Sequence, residues 1–240
     1  GKLESFLVMW PESKPPPRSP AEDYQNPKVD VVSGTIVMDP KCDPNLSSFE
    51  FQKCRAFSQI AFGWWKVDLL VNSLTAMRNP VDLVCVQCPA NARHSAGYSP
   101  KHNTVWVCSN HFWNPFEFRR AVAHELVHAF DFSRAKLDET NCEHVACTEI
   151  RAWNLGGQCD LWTQSWNMMS EYPFGSAKQK CIRRGVHASL RENKHCSDSE
   201  VATRCTEKVW DRCFADYWPF TTAPDLDNRW RQSPYQPSSR

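Results

Sequence analysis

The chain has 240 residues, 41% of them hydrophobic and 12% aromatic, which is enough for a sizeable buried core. Its 28 Lys and Arg balance 27 Asp and Glu, which excludes the broad basic face of a nucleic-acid binder. Twelve cysteines spread along the chain point to disulfides and an oxidising compartment rather than a reduced cytosol.

Residues 1–45 hold Pro11, Pro15, Pro16, Pro17, Pro20, Pro27, Pro40 and Pro44, and read as a flexible Pro-rich N-terminal arm. From Ser47 the pattern changes. Phe51, Cys54, Phe57 and Phe62 lead to Gly63, then Val67, Leu70, Leu74 and Met77 recur at helical spacing, so two amphipathic helices are expected before Pro80. The most apolar stretch, Ile60 to Val71, is broken by Lys66 and Asp68, and no run is long enough to cross a bilayer.

Val81–Cys88 reads as a strand, and Thr104–Cys108 as a second strand after the turn-rich residues 91–103. Thr104–Cys108 is the candidate edge strand for holding an extended peptide by strand addition. Cys85-x-x-Cys88 has no matching second pair, which favours disulfides over a metal knuckle.

Asn114 is a natural N-cap, with Pro115 at the first helical position and Glu117 three residues on, so a helix is expected to begin there. Phe118, Val122, Leu126 and Ala129 form its apolar stripe. On the same helix His124 and His128 are four apart, so both imidazoles project from one side and can grip one zinc ion. Glu125 between them is placed to take a proton from an attacking water and pass it to a leaving amine.

Thr140-Asn141-Cys142-Glu143 reads as a capping box opening another helix, which Gly156 and Gly157 close. Cys142, Ala146, Glu149 and Trp153 share one face of it. A carboxylate on an apolar face needs a partner, so Glu149 is the candidate third metal ligand. Asp138 is the alternative ligand, Asp131 is better placed to accept an imidazole N–H, and an ion pair with Arg151 is the competing role for Glu149. Helices are expected over Lys178–Glu192 and Ser199–Phe214; in the latter Val201, Cys205, Val209 and Cys213 repeat every four residues, as in a disulfide-stapled cover. Residues 221–240 form a polar tail.

His124 to Asp131 (HELVHAFD), Ala146 to Ala152 (ACTEIRA), and Trp210, Cys213, Phe214, Asp216, Pro219 and Phe220 together resemble the mitochondrial inner-membrane peptidase family that assists ATP synthase assembly. The resemblance spans about Phe49 to Phe220. It implies a zinc endopeptidase attached peripherally on the intermembrane-space side. It further implies that the chain processes subunits of the synthase's membrane sector or helps assemble them. Some members have Cys where Ser133 stands and Ala where Trp153 stands.

The expected fold is therefore α+β and zincin-like: mainly helical, with a small sheet, disulfide-stapled helices and flexible ends. One domain over residues 46–220 carries His124, His128 and Glu149 as zinc ligands and Glu125 as the catalytic base. The alternative functions are a non-catalytic assembly factor with a structural metal, and a secreted disulfide-rich zinc protease.

Overall fold

The computed structural model describes residues 28–30, 35–37, 40–43, 46–160 and 176–224. The Pro-rich stretch up to residue 27 and the tail from residue 225 lie outside the described residues. Strands β1 (Lys28–Asp30) and β2 (Thr35–Val37) pair antiparallel, and β3 (Lys41–Cys42) joins the main sheet.

The Ser47 hydroxyl accepts the Glu50 amide and so starts α1 (Ser48–Phe62); Gly63 closes it before α2 (Trp65–Ala76). The main sheet has the order β3, β4 (Asp82–Val86), β6 (Thr104–Cys108), β5 (Ala96–Ser99). β3, β4 and β6 run parallel, whereas β5 runs antiparallel to β6. The strand expected at the edge, Thr104–Cys108, is therefore internal, and β5 occupies that edge. β5 was hidden because Ala-Gly-Tyr-Ser has no alternating apolar pattern. Its Gly97 is demanded by contact, since a Cβ there would stand 2.4 Å from Cζ2 of Trp106.

Helix α3 (Pro115–Arg134) starts where the sequence places it, with the Asn114 side chain accepting the Phe116 amide at 2.8 Å. The next helix, α4 (Cys142–Leu155), is capped by Asn141 rather than Thr140: Asn141 accepts the Glu143 amide, and Thr140 instead donates its hydroxyl to Asp138. Helices α5 (Ser176–Glu192) and α6 (Ser199–Phe214) complete the described elements.

The apolar residues form two cores. Cys54, Phe62, Leu70, Leu74, Leu83, Val105, Val107, Phe118, Val122, Leu126 and Phe130 bring α1, α2 and α3 onto the sheet. Ile150, Ile182, Val186, Leu190, Val209 and Trp210 join α4, α5 and α6. Cys54–Cys85 and Cys88–Cys108 staple the first, and Cys147–Cys213 and Cys159–Cys181 the second. The contact of α3 with α4 joins the two. Among the described residues no helix is long and apolar enough to cross a membrane.

Candidate metal centre

Helical periodicity assigns the faces of α3. Phe118, Val122, Leu126 and Ala129 are buried against the sheet side, and His124 and His128, each 8% exposed, turn toward α4. Glu149 on α4 meets them. Its Oε1 stands 3.5 Å from His128 Nε2, and its Oε2 3.7 Å from His124 Nε2. Donors bonded to one tetrahedral zinc at about 2.0–2.2 Å would be separated by about 3.4 Å, so the spacing suits a shared ion. Oε2 of Glu149 is buried and makes no hydrogen bond among the described residues, a state that a cation would relieve. His124, His128 and Glu149 are the group among the described residues whose ligand atoms converge closely enough to hold a metal.

The tautomer of His128 follows from its neighbours. Thr148 donates its hydroxyl to Oδ2 of Asp131 at 3.0 Å, so at 2.9 Å from His128 Nδ1 it must accept. Nδ1 therefore carries the proton, and Nε2 presents its lone pair to the space shared with Glu149. Asp131, expected to receive an imidazole N–H, does so through Thr148, which the sequence reading had not singled out. Its position one residue before Glu149 was the available signal.

Arg151 does not pair with Glu149. Fully buried, it reaches Asp131 at 2.9 Å and Asp216 at 2.6 Å, and its guanidinium also donates to the carbonyls of Asp216 and Trp218. Arg134 bridges the same two carboxylates. These ion pairs join α3 and α4 to the segment after α6 and leave Glu149 to the histidines. Asp138, the alternative ligand, is exposed on the connector between α3 and α4, where its carboxylate accepts the amide and hydroxyl of Thr140.

The electrostatics of the trio are those of a cation site. Burial opposes ionisation of Glu149, but His128 and His124 outweigh it and hold the carboxyl down at about 2. Burial also opposes a charge on His124, yet Glu149 and Glu125 raise its pKa above the ordinary histidine value. Glu125, half-buried, stands beside the first ligand. The indole of Trp153 packs edge-on against His124 with ring centroids 5.5 Å apart, and Gly185 on α5 admits it, since a Cβ there would lie 2.3 Å from the indole.

The edge strand is tied to this helix. Tyr98 on β5 donates to Asn103, Asn103 to Asn79, and Asn79 to Ser133 on α3, over distances of 2.9, 2.8 and 2.6 Å. Tyr98 also meets the Phe132 ring.

The model of the Peptidase M76 family matches residues 37–221, which take in both helices of the centre and the strands beside them. The chain belongs to the Peptidase M76 family. Relatives of this M76 chain are named mitochondrial inner membrane protease ATP23. That of Coccidioides immitis is 34% identical over 140 residues, covering 58% of this chain and 57% of the relative. That of Neosartorya fischeri is 35% identical with the same coverage. In Pyricularia oryzae the protein is 36% identical over 149 residues, 58% of this chain and 54% of the relative. The M76 chain thus spans somewhat more than half the length of the curated relatives it matches. No solved structure matches it.

Proposed function

We propose that the chain is a zincin-like, zinc-dependent endopeptidase with His124, His128 and Glu149 as metal ligands and Glu125 as the general base. The observation that carries this reading is the meeting of both His Nε2 atoms with the Glu149 carboxylate at 3.5 and 3.7 Å, with Oε2 otherwise unpartnered among the described residues. Zinc, when bound, supplies Lewis acidity toward the scissile carbonyl and the attacking water. The chain's own residues do the remainder. Thr148 and Asp131 hold His128 in the tautomer that leaves Nε2 free. Glu125 accepts a proton from the attacking water at its carboxylate and delivers it to the departing amine. Among the described residues β5 is the edge strand of the sheet, to which an extended peptide can add.

The substrate is a peptide or protein, and the compartment is the mitochondrial inner membrane, approached peripherally from the intermembrane space. The names of the relatives and the four disulfides support this setting. So do Trp113, just before α3, and Phe116 in its first turn, which are exposed aromatic side chains of the kind that sit at a membrane–water interface. The family resemblance adds a membrane-sector subunit of ATP synthase as the protein processed or assembled.

The test is Glu125→Gln in the full chain. Zinc stoichiometry is expected to stay at one ion per chain while cleavage of a peptide mixture falls by a factor of about 10² or more. Retention of cleavage would remove Glu125 from the mechanism, and loss of zinc would make it a structural element of the site. Rescue of synthase assembly by the same variant would separate an assembly role from proteolysis.

A further inference from the structure

Of the two histidines in the centre, His128 has its second ring nitrogen held by Thr148, whereas Nδ1 of His124 is buried and makes no hydrogen bond of ordinary geometry among the described residues. A buried ring N–H without an acceptor is costly and leaves the tautomer unset. The groups around the ring narrow the choice of acceptor. Glu149 faces the other nitrogen, Nε2, at 3.7 Å. Trp153 packs edge-on, and its indole N–H donates to the Ser189 hydroxyl on α5 at 3.4 Å. Gln158 remains.

The turn that ends α4 carries Gln158 back onto α3. Gly156 donates its amide to the Ala152 carbonyl at 2.9 Å, and Gly157 takes a φ of 86°, the left-handed region that favours glycine. The residues that follow are fastened on both sides: Cys159 is bonded to Cys181 on α5, and Asp160 pairs with Lys66 on α2 at 2.8 Å. Gln158 Nε2 donates to the Arg120 carbonyl at 3.2 Å. Arg120 stands four residues before His124, so this is the carbonyl that the helix points at the His124 amide. A carbonyl only accepts, which assigns the nitrogen end of the carboxamide to Arg120 and turns the oxygen end the other way. There Oε1 borders Gly156: a Cβ on that glycine would lie 2.6 Å from Oε1 and 3.1 Å from the His124 Cα. The carboxamide and His124 thus meet across a gap that one methyl group would overfill.

We propose that Gln158 is a positioning residue for His124, its Oε1 accepting the ring Nδ1–H so that Nε2 is the nitrogen presented to Glu149 and to a metal ion. The role toward zinc rests on the reading of the trio as a metal centre; the contact itself does not. A small rotation of the ring or of the carboxamide brings the pair into line. Burial lowers the pKa of His124, and Gln158 is among the side chains that raise it again, as an acceptor at the ring does. The two histidines are then held by unlike devices. A hydroxyl within α4 sets His128 and passes the restraint to an aspartate, whereas a neutral amide on the turn after α4 sets His124.

The experiment reads the ring N–H directly, by 1H–15N correlation on the full chain labelled with 15N-histidine. The chain is treated with chelator and held at about pH 5.5, where a histidine of raised pKa carries both ring protons. A slowly exchanging Nδ1–H resonance is expected, assigned by its absence in His124→Gln. In Gln158→Met it should exchange with water too fast to observe. In Gln158→Glu, whose carboxylate accepts more strongly, it should persist and move downfield. Zinc affinity, measured by competition with a chromogenic chelator, should fall about 10–100-fold in Gln158→Met. A His124 N–H that stays protected in Gln158→Met, or that does not move in Gln158→Glu, would overturn the proposal, as would a loss of zinc affinity with that resonance intact. If Gln158→Met does not fold, Gln158→Glu decides by the same resonance. A parent chain that shows the resonance but takes up no zinc would retire the metal reading and leave this contact standing.

Discussion

Thr148 carries more of the metal centre than its modest side chain suggests. It accepts from His128 Nδ1 and donates to Asp131, so one hydroxyl sets the ring tautomer and passes the restraint to a carboxylate held by two arginines. Thr148→Val keeps the shape but removes the hydroxyl, leaving the imidazole N–H and the carboxylate facing a methyl group. Zinc affinity is expected to fall by about 10–100-fold in competition titrations against a chromogenic chelator, with recovery in Thr148→Ser. Protonation gives a second residue-scale prediction. In the metal-free chain Glu149, depressed to about 2, contributes stability that is present above about pH 4.5 and lost as pH falls toward 2. His124, with a raised pKa, contributes stability that is present below about pH 6.5 and lost as pH rises through its folded value. Their joint contribution is therefore full between about pH 4.5 and 6.5. Zinc needs the neutral ring, so the gain in melting temperature on adding zinc should shrink as pH falls through the raised His124 value. Paired thermal melts with zinc and with chelator across pH 4–8 check this; a zinc gain that is flat with pH would contradict it.

At the scale of elements, sequence legibility followed amphipathicity. The capped start of α3 and its stripe from Phe118 to Ala129 could be read directly, because a helix buried on one face prints its period in the chain. The pairing of His124 with His128 came with it. Glu149 could be singled out because a carboxylate on the buried face of α4 needs a cation. The sheet edge was not legible: β5 is short, half-buried and lacks alternation, whereas β6 looked like a better strand because it is internal. The role of Arg151 was equally hidden, since its partners Asp131 and Asp216 are far from it in sequence and only the fold unites them. Gly97→Val tests the edge. The added branches must displace Trp106 or β5, which costs about 1–3 kcal/mol of packing. If β5 aligns substrate, KM for a peptide should rise several-fold more than kcat falls; an equal effect of denaturant stability and no change in KM would remove β5 from substrate binding.

Across the whole molecule, disulfides and charge divide the labour of holding the fold. Cys147–Cys213 closes a span of 66 residues, and in the chain-entropy account that loop is worth about 4 kcal/mol against the unfolded state. Replacing both cysteines with serine should lower the free energy of unfolding in urea by up to that amount, with zinc stoichiometry at saturating ion retained. A loss confined to metal affinity would instead place the bridge in support of Glu149 alone.

The four disulfides respect the boundary between the two cores: each closes a loop within one core, and none of the four runs from one core to the other. What crosses is the packing of α3 on α4, with Ala152, Leu155 and Phe220 buried in the first core, together with the Lys66–Asp160 pair, the arginine–aspartate network, and the centre itself, with histidines from one side and the glutamate from the other. The molecule consequently has two independent modes of failure. A reductant would loosen either half from within while leaving the contacts between them, whereas a chelator would take a bound ion out of the seam while leaving every covalent loop, ion pair and apolar contact in place.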